Sequence, residues 1–171
     1  MPDPDPIPDE MKWQIAAKLV SALPVMYDIT FRDIVGEDYD RLEQEIWMHM
    51  AGEAGAVARS FQLPASDAEE IMHTLRVIQT VFFGPGIRTE PGLSGPDRAV
   101  IMIRRCPFFY REKEMRETGG QLLTRCLAFS IATVEVLNPA FTLRFVRSMC
   151  TGDRNCELKI IRKAESEKEE R

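Results

Sequence analysis

The chain has 171 residues, 44% of them hydrophobic and 29% charged, which suits one domain with a real core and excludes a wholly disordered polypeptide. Asp3, Asp5, Asp9 and Glu10, with no base among them, hold four of the net five negative charges, so the remaining body is nearly neutral. A neutral body lacks the basic surplus of a nucleic-acid binder and the attraction that draws a protein to an anionic membrane.

Residues 1–9 alternate Pro with Asp or Ile and read as an extended acidic arm, unlike the basic and then apolar start of a secretory signal. No apolar run approaches the roughly 18 residues of a membrane span. The expectation is a cytoplasmic protein, a compartment that keeps thiols reduced. Met11–Leu23 places Ile15, Leu19, Ala22 and Leu23 on one stripe, and Pro24 is expected to end or kink that helix. Glu37–Phe61 carries Tyr39, Leu42, Ile46, Met50, Ala54, Val57 and Phe61 near the helical period. Ser66-Asp67-Ala68-Glu69 reads as a capping box before a third helix to about Phe83, which Gly84-Pro85-Gly86 stops. Glu90–Asp97, with two glycines and two prolines, reads as a loop.

The second half changes character. Ala99–Arg105 is β-branched and reads as a strand, and Glu114–Leu137 as a long helix closed by Asn138-Pro139. Phe141–Met149 alternates, Glu157–Ile161 is a short strand, and the turn Thr151–Asn155 joins them in a β-hairpin. The fold class is α+β: N-terminal helices, then a strand, a long helix and a C-terminal antiparallel hairpin. The domain runs from 10 to 161, with a helical half at 10–90, a cysteine-bearing half at 97–161 and a charged tail at 162–171.

Every cysteine lies in the second half. Cys150 and Cys156 bracket the hairpin turn as C-x5-C, Cys106 ends the first strand, and Cys126 rides the helix that must cover the sheet. Four converging thiols would suit tetrahedral zinc or an iron–sulfur cluster. Cysteine also packs simply as a small hydrophobe, and both readings stay open. A third reading makes one thiol a nucleophile, its pKa lowered by Arg104, Arg105, Arg147 or Arg154. Such a nucleophile usually needs a base, and His49 and His73 both lie in the helical half, one turn beyond Glu45 and Glu69. Trp47, Met50, Phe82 and Phe83, with Met48 and Met72 nearby, could line an apolar ligand pocket or simply pack. Phe108-Phe109-Tyr110 reads as an anchor after the strand rather than a base-stacking patch. Phosphate-loop, dinucleotide and nucleophile-elbow motifs are missing.

Cys106-Pro107 at a strand end, a cysteine-bearing helix, Leu137-Asn138-Pro139, and the stretch MCTGDRNCEL from Met149 to Leu158 together resemble a known family. It is the L-2-amino-thiazoline-4-carboxylic acid hydrolase-like family, related to 4-vinyl reductase ligand-binding domains. The resemblance covers about residues 99–161 and carries over Cys106, Cys126, Cys150, Cys156, Gly152 and Asp153. It implies hydrolysis of a cyclic thiazoline on one side, and on the other a small-molecule sensor or carrier whose cysteines hold a metal. It further implies the α+β ligand-binding fold found in nitric-oxide signalling and vesicle-tethering proteins. The expectations are therefore a small-molecule-binding module with a cysteine-ligated metal, a cysteine-dependent hydrolase of a cyclic amide or thiazoline, or a structural assembly subunit with packed thiols. The expected ligand is small and apolar or thiazoline-like, and the apolar helical half leaves room for a homodimer interface.

Overall fold

A computed structural model describes residues 6–115 and 122–165. In chain order they form α1 (Asp9–Val35), a 3-10 turn (Gly36–Asp38), α2 (Tyr39–Ser60), α3 (Ala68–Phe83), β1 (Arg88–Ser94), β2 (Arg98–Arg105), α4 (Pro107–Met115), α5 (Leu122–Leu137), β3 (Phe141–Arg147) and β4 (Cys156–Arg162). The α+β class holds. The acidic run at 1–5, the middle of the expected long helix at 116–121 and the end of the tail at 166–171 lie outside the described residues.

The four strands form one antiparallel sheet in the order β1-β2-β4-β3. Alternation puts Ala99, Ile101 and Ile103 of β2, Leu158 and Ile160 of β4, and Phe141 and Leu143 of β3 on one buried face. That face packs on Ala68, Ile71, Met72 and Leu75 of α3 and on Val134 of α5. A second cluster joins Trp47, Ala51, Ala54 and Ala58 of α2 to Phe129 of α5 and Phe108 of α4. The small residues of α2 let the two helices approach closely: a Cβ added at Gly55 would collide with Val136.

Three elements depart from expectation. Pro24 does not end α1, which runs on to Val35. Proline removes one N–H from the helix ladder, and that loss is offset beyond it by Asp28, buried in ion pairs described below. The stretch 90–97 is not all loop, because Arg88–Ser94 pairs with β2 as an edge strand. Pro91 is tolerated there, since an edge strand needs a ladder N–H on one side only. The aromatic run after Cys106 opens a separate helix, α4, with Pro107 as its first residue, where a missing N–H is harmless. At α3 the cap is Asp67, whose side chain accepts from Glu70 N at 2.9 Å, while Glu70 Oε2 reaches back to Ser66 N at 2.8 Å. Glu70 rather than Glu69 is the reciprocal partner.

Gly84 ends α3 with φ of +83°, and a Cβ there would also collide with Ala17 of α1. Gly84→Ala should therefore lose about 1–3 kcal/mol in urea unfolding through overpacking and left-handed strain. Gly52→Ala on α2, where an added Cβ meets nothing within 4 Å, should be neutral or stabilising by up to about 1 kcal/mol.

Candidate functional site: a thiol-lined cavity behind an apolar cleft

All four cysteines line one interior cavity of about 30 Å³, beside Trp47, Phe83, Phe108, Phe109 and Phe129. Cys106 sits between β2 and α4, Cys126 on α5, Cys150 in a 3-10 turn (Met149–Thr151) and Cys156 at the start of β4. The predicted turn shapes this arrangement. Gly152 takes φ of +103°, and Asp153 Oδ2 accepts from Ser148 N at 2.9 Å. Ser148 Oγ accepts from Cys150 N at 3.1 Å, and Cys156 Sγ accepts from Met149 N at 3.3 Å. These bonds hold the two hairpin thiols toward the interior.

The thiols share a cavity without forming a ligand set. Among the described residues no three Cys, His, Asp or Glu side chains are grouped to hold a metal ion. The zinc or iron–sulfur ligand set expected from the sequence is not shown by this arrangement.

Burial also decides their reactivity. Desolvation pushes the Cys106 thiol up to about 12 and Cys150 up to about 11, and it raises Cys126 and Cys156 as well. The sequence suggested the opposite, with nearby arginines lowering these values. Arg104 instead turns outward to Glu90 at 2.8 Å, and Arg147 lies 3.7 Å from Glu157. No imidazole or carboxylate lines the cavity among the described residues. His49 and His73 are exposed on α2 and α3, with His49 Nδ1 2.8 Å from the Glu45 carbonyl oxygen.

One polar wall went unforeseen. Arg125, 1% exposed, lines the cavity from α5. Its Nε lies 2.8 Å from Glu43 Oε1 and its Nη2 3.2 Å from Asp28 Oδ2. Arg32 Nε meets Asp28 Oδ1 at 2.5 Å, so α1, α2 and α5 join in one buried ion cluster. Burial opposes the Arg125 charge, but the bond and attraction from Glu43, helped by Asp28, more than compensate and raise its pKa. Burial likewise raises the Glu43 carboxyl. The signal was readable, since Arg125 and Glu135 are the only charges in α5. Gln79, also 1% exposed, presents an Oε1 without a protein partner to the same cavity, which has room for the one water that would satisfy it.

A larger space lies outside. A cleft of about 480 Å³ runs between α1 and α2, lined by Leu23, Tyr27, Phe31, Leu42, Ile46 and Met50 among others. Trp47 and Phe108, stacked edge to face with centroids 5.8 Å apart, line both the cleft and the cavity. Of the apolar residues singled out from sequence, Trp47, Met50 and Phe82 line the cleft, and Trp47 and Phe83 line the cavity. Met72 belongs to the core and Met48 is exposed. The other cleft residues were missed because a helical stripe looks the same whether it faces a core or a groove.

No family model matches this sequence, and no curated protein matches it. Solved structures do. The chain is similar to the phenol-responsive sensory domain of the transcription activator PoxR with phenol, at TM-score 0.58 and 12% identity over 85% of this chain and 74% of that one. It is also similar to trafficking protein particle complex subunit 3 from Naegleria fowleri, covalently bound to palmitic acid, at TM-score 0.55 and 12% identity over 87% of this chain and 96% of that one. The fold is 4-vinyl reductase-like. At this identity the likeness speaks for the fold alone. No helix among the described residues is long and apolar enough to cross a membrane.

Two expectations follow. Arg125→Met takes the paired cation from buried Glu43 and leaves Asp28 with Arg32 alone, and should lower stability by about 3–5 kcal/mol in urea unfolding. The raised thiols stay protonated in the folded state, whereas unfolded thiols ionise from about pH 8.5. Their contribution to stability is therefore complete below about pH 8.5 and is lost progressively as pH rises toward the folded values near 11 and 12. Unfolding midpoints measured from pH 7 to 10 should fall above pH 8.5, and a Cys106→Ser, Cys150→Ser pair should flatten that fall.

Proposed function

We propose that this protein is a small-molecule-binding module of the sensor type, whose ligand is apolar and uncharged and occupies the cleft between α1 and α2. The observation that carries this reading is the cleft itself, a preformed space of about 480 Å³ between two helices, walled almost entirely by apolar and aromatic side chains. Glu43 is the one charged residue on its lining among the described residues, and burial disfavours further negative charge beside it. An anionic ligand would meet that carboxylate with no unpaired cation nearby, since Arg125 is already committed to Glu43 and Asp28. The fold neighbours are a phenol-responsive domain and a subunit bound to palmitic acid, which agrees with apolar ligands. The hydrolase alternative has less support, because the thiols are raised and no imidazole or carboxylate lines their cavity among the described residues.

Ligand in the cleft would touch α1 on one side and the Trp47–Phe108 wall of the thiol cavity on the other. That contact gives binding a route to move α1, which is what a sensor requires.

The test is thermal unfolding with phenol as a neutral ring, hexadecanol as a neutral chain and benzoate as the charged ring. At least one neutral probe should raise the midpoint, a ligand at 100 times its Kd adding about 2.7 kcal/mol. Phenol should exceed benzoate at equal concentration. Ile46→Glu, at an exposed position on the cleft wall, should remove the shift while leaving the ligand-free midpoint in place. No shift with either neutral probe, or an undiminished shift in Ile46→Glu, would overturn the proposal.

A further inference from the structure

α1 has three faces. Ser21, Val25 and Asp28 point into the body, and Leu23, Tyr27, Phe31 and Val35 point into the cleft. The third face lies roughly a third of a turn from each, at about 100° per residue. It reads Lys12, Ile15, Leu19, Ala22, Met26, Ile29 and Asp33, with spacings that alternate strictly between 3 and 4. That alternation is the seam of a coiled coil, apolar from Ile15 to Ile29 over about two heptads and closed by a charge at each end. Its large apolar members stay exposed in the monomer: Ile15 is 45% exposed, Leu19 63%, Met26 48% and Ile29 49%. A continuous exposed apolar strip marks an interaction surface.

We infer that this seam pairs with the same seam of a second copy of the chain, the two α1 helices running antiparallel and crossing near Ala22. The charges at its ends choose both partner and direction. Lys12 lies ten residues before Ala22 and Asp33 eleven after it, about 15 and 16 Å along the axis. Antiparallel copies therefore bring Lys12 of each against Asp33 of the other, whereas parallel copies would oppose like charges at both ends. Ala22 at the crossing is the smallest side chain on the seam and permits close approach there. Lys12 also bonds Asp9 on its own helix at 3.0 Å, but that pair is exposed and easily exchanged. The inference does not depend on the ligand reading, because the seam and the cleft use different faces of the helix.

Size-exclusion chromatography with light scattering on the full chain tests it. At tens of micromolar the mass should be twice the 19.5 kDa of one chain. Leu19→Glu with Met26→Glu should give a monomer with unchanged far-ultraviolet circular dichroism, since both positions are exposed. Lys12→Glu should weaken dimerisation severalfold, and adding Asp33→Lys should restore it. A wild-type monomer would assign the seam to some other partner and overturn the inference. So would a dimer that survives Leu19→Glu with Met26→Glu, or a charge exchange that fails to restore pairing.

Discussion

The structure turns on one buried cation. Arg125 enters the interior on α5 and is met there by Glu43 of α2 and Asp28 of α1, with Arg32 bonded in turn to Asp28. A guanidinium in so little water is tolerated only when carboxylates close by answer its charge. Answering it requires three helices to hold one mutual placement. The cleft between α1 and α2 exists because these ions fix the two helices at their inner edge while their outer apolar residues stay apart. The cavity inherits the same constraint, because Cys126 is the next residue after Arg125 and takes its position from that anchor.

Much of the fold was legible because burial leaves a periodic trace. The extents of α2 and β2, the α3 cap and the alternation of β3 were read to within a few residues, whereas the α2 stripe with Leu42, Ile46 and Met50 lines the cleft and the helix buries Glu43, Trp47, Ala51 and Ala58 instead. What failed were elements with little burial of their own. β1 is almost wholly exposed and contains Pro91 and Gly92, so neither alternation nor composition marks it as a strand. Its pairing with β2 is a tertiary fact. The continuation of α1 past Pro24 was hidden likewise, because what steadies it is an ion pair to a residue almost a hundred positions away.

The site was legible in part and for a similar reason. Placing the four cysteines together needed only topology: two strand ends, one hairpin turn and one covering helix. Their chemistry was not legible, because it depends on desolvation, which sequence neighbours do not report. Arg104 and Arg147, two and three residues before Cys106 and Cys150, turn outward to carboxylates, and the thiols are left in a largely apolar interior that holds them protonated. The stripe of α1 shows the converse. Ile15, Leu19 and Ala22 read as one apolar stripe, yet in the monomer Ile15 and Leu19 are exposed, so the pattern reported the need for burial without saying which surface supplies it.

The order of the sheet has a consequence for how the molecule assembles. Ile103 of β2 stands opposite Cys156 of β4, and both line the thiol cavity. These partners lie more than fifty residues apart, so their ladder closes a long loop, and such contacts form slowly compared with the local β1–β2 hairpin. The cavity thus rests on contacts that span the chain. On an unfolded chain the cysteines have ordinary acidity and are accessible to oxidants and to one another. The protection they enjoy in the finished fold comes from that long-range closure and from no single segment.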